Sequence, residues 1–197
     1  MSRLHALRSR LHREECGYSL VELLTVMAIL GIVMGGLTTV FASAMTNEAD
    51  MNNRFQAQQT GRLALDKVRR EVHCASTATP AGSATSSITL TLPSYCKTYS
   101  GSASVTWCTR SVSTNRYALY RVSGATCSGG VKWADFLAPT STATVCSGAL
   151  CVFNFTAQTT TSLARLHVDI PVNVKPTRTV EAYELIDDLV LRNSTRS

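Results

Sequence analysis

Hydrophobic and polar positions divide the chain into three regimes. From Tyr18 to Met45 the residues are apolar, small or uncharged, and Glu22 is the single formal charge. A helix of about 20 apolar residues crosses the roughly 30 Å hydrocarbon core of a bilayer, so this run predicts a membrane span over residues 18–45. From 46 to 74 the pattern turns amphipathic. Met51, Phe55, Leu65, Val68 and Val72 recur at spacings compatible with one helical stripe, while Arg54, Arg62, Lys67, Arg69 and Arg70 fall largely elsewhere. No Pro lies between Tyr18 and Cys74, so one continuous helix accommodates both regimes, with Gly35-Gly36 and Gly61 as its soft points. The stripe is expected to pack on the domain that follows, and the charges to form a solvated face.

The third regime begins at Ala75. Ser, Thr, Ala and Gly dominate residues 75–87, together with Pro80 and Gly82, the composition of a connecting loop. Short runs of strand character follow at Ile88–Leu92, Val105–Thr109, Tyr117–Val122, Val131–Trp133 and Leu150–Phe155. Leu166, Val168, Ile170, Val172 and Val174 then occupy alternate positions, which predicts a half-buried strand. Pro171 inside it donates no ladder hydrogen bond and so predicts an edge or bulged position. Val180–Asn193 is expected to close the sheet as a last strand, with Asp187-Asp188 forming a turn before it. The fold class is therefore α+β: a long N-terminal helix packed on an antiparallel β-sheet head over residues 75–197.

Charge sets the orientation. The 197 residues carry a formal net charge of +6. Residues 1–17 hold Arg3, Arg8, Arg10 and Arg13 without an apolar core of their own, unlike an ordinary secretory signal. These arginines precede the span, and Glu48 and Asp50 follow it, so the positive-inside bias leaves the N-terminus in the cytoplasm and exports everything after Met45. The remaining positive charge is scattered without a basic cluster interleaved with aromatics, so nucleic acid is not indicated as a partner. Cys16 precedes the span, whereas Cys74, Cys96, Cys108, Cys127, Cys146 and Cys151 all lie in the exported part, where an oxidising compartment favours disulfides. Six cysteines allow fifteen pairings. Of these, the expected set is Cys146 with Cys151, Cys96 with Cys108, and Cys74 with Cys127.

Catalytic chemistry finds little to build on. No G-x-S-x-G, H-E-x-x-H or phosphate-loop pattern occurs. Asp66 with Glu71, and Asp187 with Asp188, read as exposed helix and turn carboxylates rather than acid–base pairs. Tyr95, Tyr99, Trp107, Tyr117, Tyr120 and Trp133 read as sheet core. No C-x-x-C pair occurs, and His73 and His167 are too few and far apart for a metal centre, so neither metal nor cofactor is expected.

The remaining oddity is Glu22. A charge within a membrane span costs a few kcal/mol unless it is paired, and its presence asks for a partner. Gly17-Tyr18-Ser19-Leu20-Val21-Glu22-Leu23-Leu24 resembles the N-terminal cleavage and methylation signal of type IV prepilins and type II secretion pseudopilins. Tyr18 stands where Phe is usual, and no Pro interrupts the helix. The resemblance implies a leader at 1–17, cut after Gly17 by a prepilin peptidase that also N-methylates Tyr18, with Glu22 as the assembly carboxylate. It implies a structural subunit rather than an enzyme, held in the cytoplasmic membrane as a single-pass protein and drawn by the assembly machinery into a pilus or pseudopilus of other pilin subunits. Arg62–Val72 further resembles the helix end of minor pilins and J-type pseudopilins, and Leu191-Arg192-Asn193 a strand ending of some minor pilins. Two other readings stay open: a minor pilin acting mainly as a binding module in adhesion, DNA uptake or substrate contact, and a bitopic membrane-anchored receptor or enzyme with an uncleaved anchor. Mass spectrometry of the N-terminus is expected to find N-methyltyrosine at residue 18. A product still starting at Met1, from cells that otherwise build filaments, would overturn the processing.

Overall fold

The computed structural model describes residues 19–97, 101–176 and 182–194. One helix, α1 (Leu20–Cys74), precedes eleven strands: β1 (Thr77–Thr79), β2 (Ala84–Thr85), β3 (Ser87–Thr91), β4 (Ser104–Ser113), β5 (Arg116–Ser123), β6 (Val131–Leu137), β7 (Val145–Cys146), β8 (Ala149–Leu150), β9 (Phe153–Thr156), β10 (Arg165–Val172) and β11 (Tyr183–Val190). The chain is α+β and pilin-like, a long N-terminal helix followed by a large antiparallel sheet. It divides into two compact units, Met1–Ala49 and Asp50–Ser197. α1 runs through Gly35-Gly36 and Gly61 without interruption, so none of the expected soft points breaks it.

In the second unit the sheet runs β1-β3-β4-β5-β6-β10-β9-β2, with β11 added on β10, and β7-β8 form a separate ribbon. Every pairing in it is antiparallel. The stretch 75–87, expected as loop, contributes β1 and β2, because its Thr-rich pieces find partners: Thr77 lies opposite Thr91, and Ala84 opposite Asn154. The core gathers Trp107, Phe153, Ile88, Leu90, Leu119, Leu166 and Ile170, all essentially without solvent exposure, against the second half of α1.

The helix stripe that packs here differs from the expected one. Ala57, Gly61, Ala64, Leu65, Val68, Glu71 and Val72 are buried, whereas Met51 and Phe55 are exposed. At about 100° per residue, Met51 and Phe55 lie roughly 80° and 120° round the helix from Gly61, off the packed face. Gly61 is a contact point: a Cβ there would come within 3.1 Å of Leu185 Cδ1 and 3.3 Å of Val172 Cγ2. Small residues at 57, 61 and 64 let the sheet approach the helix closely.

Pro171 lies inside the sheet, neither at an edge nor in a bulge. β10 pairs with β11 along its whole length, while on its other side β9 covers Arg165–Val168 and β6 meets only Val172. Asp169 donates its amide to Val152 and Asn173 donates to Phe136, so the odd-numbered residues face that side. Pro171 therefore falls in the gap between the end of β9 and the start of β6, where no acceptor waits for an N–H, and its carbonyl still accepts from Ala138 at 3.2 Å. Asp187 and Asp188 are residues of β11 rather than of a turn.

Three disulfides join Cys74 to Cys96, Cys108 to Cys127 and Cys146 to Cys151, with Cα separations of 5.9, 6.0 and 5.8 Å. Two of the expected pairs are thus replaced. β3 and β4 register Thr91 with Ser104 and Ser87 with Cys108, so Cys108 sits four residues, about 13 Å, into β4 from the end that Cys96 follows. That exceeds the roughly 7 Å limit for a bridge. Cys74 ends α1 on the Trp107 face, and its neighbour Ser76 bonds Thr91, which brings Cys96 within reach. Cys108 alternates with Trp107 and points to the opposite face, where residues 124–130 fold over β4. Thr106 donates to Gly124 O at 2.7 Å, Cys108 bridges to Cys127, and Arg110 donates to Gly129 O at 2.6 Å, so three alternate residues of one strand hold one loop. Gly130 follows at φ +82, where any Cβ would strike the Arg121 carbonyl. Non-reducing peptide mapping should recover the Cys74–Cys96 and Cys108–Cys127 cross-linked peptides. Replacing both Cys108 and Cys127 with Ala should lower the unfolding free energy by about 3 kcal/mol, as expected for a loop of this length. A Cys96–Cys108 peptide would overturn the assignment.

Candidate functional site: the apolar helix terminus and the buried carboxylate of the head

In the first unit, α1 presents apolar side chains on every side: Leu20, Val21, Leu24, Met27, Ile29, Ile32, Val33, Val40 and Phe41 are all more than half exposed. The helix is long and apolar enough to cross a membrane. Its threonine hydroxyls are satisfied internally: Thr25, Thr38, Thr39 and Thr46 each donate to the carbonyl three residues back, on Glu22, Gly35, Gly36 and Ser43, at 2.8–2.9 Å. In a solvent that offers no hydrogen bonds this back-bonding removes the cost of a free hydroxyl. Gly31, Gly35 and Gly36 have nothing within 4 Å of where a Cβ would stand, so packing within the chain does not require their smallness. Glu22 occupies the first turn, where the unpaired amides of a helix N-terminus favour a negative charge. Gly17 and Tyr18 lie outside the described residues.

In the second unit the same helix carries a carboxylate of opposite character. Glu71 is fully buried. Its Oε2 accepts from Trp107 Nε1 at 2.7 Å, its Oε1 accepts from Arg121 Nε at 2.8 Å, and Lys67 Nζ stands 3.6 Å away one helical turn earlier. Lys67 also lies over the Trp133 ring at 5.9 Å, and Trp133 packs tilted against Trp107. The expectation that Glu71 is an exposed carboxylate is therefore corrected. Its position already carried a signal, since residue 71 follows Val68 by three and precedes Val72 on the apolar stripe, where a solvated acid has no place.

The other singled-out residues are separated. Asp66 is half exposed and pairs with Arg69 at 3.5 Å and Arg70 at 3.2 Å on its own helix. Asp187 and Asp188 point to opposite faces of β11: Asp187 takes Arg69 Nη2 at 2.7 Å, and Asp188 meets His167 Nδ1 at 3.0 Å. The Asp187 bond raises the Arg69 pKa. His73 Nδ1 bonds the Val190 carbonyl, and Asn193 Nδ2 donates to the Cys74 carbonyl at 3.0 Å, so the tail caps the helix end. Lys175 pairs with Asp50. Burial pushes the Asp135 carboxyl up, but hydrogen bonds from Arg116, Lys132 and the Phe136 amide outweigh it and hold the pKa below the usual value. Trp107 and Tyr117 are core as expected, whereas Tyr95 is exposed, and Tyr99 lies outside the described residues. Among the described residues no group of three or more His, Cys, Asp or Glu side chains is placed to hold a metal ion.

A long apolar helix leading into a disulfide-bonded antiparallel sheet defines the class as pilin-like. Residues 12–38 match the family model described as the prokaryotic N-terminal methylation motif, so the chain carries the type IV prepilin and pseudopilin signal. Comparison with curated proteins and with solved structures returns no match.

Removing Glu71 takes away the buried acceptor that Arg121 and Trp107 share across two strands. Glu71→Ala should cost about 3–5 kcal/mol in denaturant unfolding followed by Trp fluorescence. A loss below about 1 kcal/mol would show that the Glu71 contacts do not hold the helix on the sheet.

Proposed function

We propose that the chain is a structural subunit of a type IV pilus or type II secretion pseudopilus, cut after Gly17 by a prepilin peptidase, methylated on Tyr18 and assembled through α1. The observation that carries this reading is the methylation motif at 12–38 opening a helix whose exposed apolar stretch holds one carboxylate. Motif and helix together fit anchoring in a membrane. In a filament, the Tyr18 ammonium of one subunit neutralises Glu22 of the next, displaced along the axis. In the low dielectric of packed helices a paired carboxylate is tolerated and a lone one is not, so the pair rewards correct register.

The second half of α1 is also suited to subunit packing. Met51, Phe55 and Leu63 are more than half exposed, and Phe55, Gln58, Gln59, Arg62 and Leu63 line a shallow surface hollow of about 250 Å³. A head of this size with three disulfides favours a minor component over the main repeating subunit. The Arg62–Val72 stretch adds no weight to that choice, because its Glu71 and Arg69 are engaged with Arg121 and Asp187 of the head's own sheet.

Glu22→Ala should leave cleavage and membrane insertion intact, while the amount of the protein in sheared filament fractions falls at least tenfold. Normal incorporation of the variant would refute the pairing role.

A further inference from the structure

The open edges of the sheet are of unequal kind. β1 has three residues and β2 two, too few to template another strand. β11 has eight, and it pairs with β10 from Tyr183 to Val190 without a shift of register, so no bulge turns its outer edge away. The strand holds no Pro and no Lys, residues that commonly blunt an edge, and its only guard is acidic charge. Odd-numbered residues of β10 bond toward β9 and β6, so the even-numbered ones bond the odd-numbered residues of β11. The N–H and C=O groups of Glu184, Ile186 and Asp188 therefore point away from the sheet, and among the described residues none of them has a hydrogen-bond partner. The next outward carbonyl, on Val190, is taken by His73 Nδ1 at 2.9 Å, and the open stretch ends there.

The side chains of this stretch decide what can pair with it. Glu184, Ile186 and Asp188 project on the face opposite α1, with Ile186 54% exposed between two exposed acids. Glu184 has no ion pair among the described residues, and its electrostatic neighbour is another carboxylate, Asp169. Asp188 bonds His167 through Oδ1, while its Oδ2 stands 4.0 Å from Arg165 and stays open to a closer cation. A second copy of β11 is disfavoured here. The one antiparallel register that engages all three residues centres on Ile186 and sets Glu184 opposite Asp188 at both ends, and parallel in-register pairing sets each acid beside itself. A basic strand meets no such repulsion. Aligned antiparallel, it exchanges two backbone hydrogen bonds with each of Glu184, Ile186 and Asp188, places cations opposite the acids and covers Ile186 with an apolar side chain. Its intervening residues turn toward α1, where Asp66 already pairs with Arg69 and Arg70, so uncharged side chains suit those positions.

We propose that the outer edge of β11 docks an extended segment of a partner polypeptide, which adds to the sheet as a further strand and carries Lys or Arg opposite Glu184 and Asp188 with an apolar residue opposite Ile186. The site is separate from the filament reading above and uses neither the methylation motif nor Glu22. The test is a titration of the full-length, isotope-labelled chain in detergent micelles, followed by the amide resonances of Glu184, Ile186 and Asp188. The probe is the capped heptapeptide TKTVTKT. Two controls accompany it: TETVTET, with the charges reversed, and TKTVTKT N-methylated at both lysines and the valine, which keeps the side chains but loses the donors facing β11. Saturable shifts and slowed hydrogen exchange at the three amides are expected with TKTVTKT, and binding at least tenfold weaker with either control. Ile186→Pro removes an outward N–H without touching the bonds to β10, and should weaken TKTVTKT at least tenfold. Glu184→Lys, at a side chain without an ion pair, should weaken TKTVTKT and strengthen TETVTET. The comparison of the three peptides on the unaltered chain stands even if neither variant folds. No saturable shift with TKTVTKT, or either control binding as tightly, would overturn the proposal. So would edge resonances that shift when the chain alone is concentrated, which would assign the edge to a second copy.

Discussion

The head depends on one buried carboxylate. Glu71 lies on the helix face that packs, and taking its charge out of water costs several kcal/mol unless geometry returns it. Arg121 and Trp107 return it from two neighbouring strands, β5 and β4, and Lys67 adds a third positive or donor group from the helix itself. A purely apolar stripe would bury as well, but it would tolerate sliding by a turn. Two charge-assisted hydrogen bonds of defined direction tolerate none, so Glu71 sets how the helix is rotated and advanced on the sheet. Gly61 and its alanine neighbours then govern how close the sheet comes, and Asn193 closes the helix end.

The disulfides follow from the same placement. Once the Trp107 face is committed to α1, alternation along β4 sends Thr106, Cys108 and Arg110 to the other face, where all three take hold of the 124–130 loop. Cys74, at the end of the helix, is left with the segment after β3, and Cys96 lies there. The two faces of the sheet are therefore stapled separately, one bridge tying helix to sheet and another tying a loop to the back of β4.

The two acids of α1 show one physical rule in two solvents. Glu22 stands in an exposed apolar stretch, where the proposed assembly gives it a cation from another subunit, while Glu71 stands in a protein core and has its cation supplied from the same chain. Both are charges on apolar surface. Only Glu22 stands out along the chain, because a lone charge in a long apolar run is visible by inspection, whereas a charge on a helical stripe flanked by other charges requires the helix to be wound before it stands out.

Much of the architecture was legible along the chain. Short runs of strand character located β3, β4, β5, β6 and β9 to within about four residues, alternation over Leu166–Val174 located β10, and an apolar and then amphipathic run with no Pro marked α1, because these signals depend only on local composition and on the local repeat of helix or strand. What local order cannot contain is which strand lies beside which. Pro171 reads as an edge residue until β9 is seen to stop and β6 to begin across from it. Asp187-Asp188 reads as a turn until Arg69 and His167 are seen on either side, and the cysteine pairing depends on the face each strand turns to the helix. These are long-range contacts, decided when the whole sheet closes on the helix. By itself the sequence determined the motif, the long apolar helix and the class of fold; the tertiary structure alone decided register, faces and partners, since those arise from packing between residues that are remote in the chain.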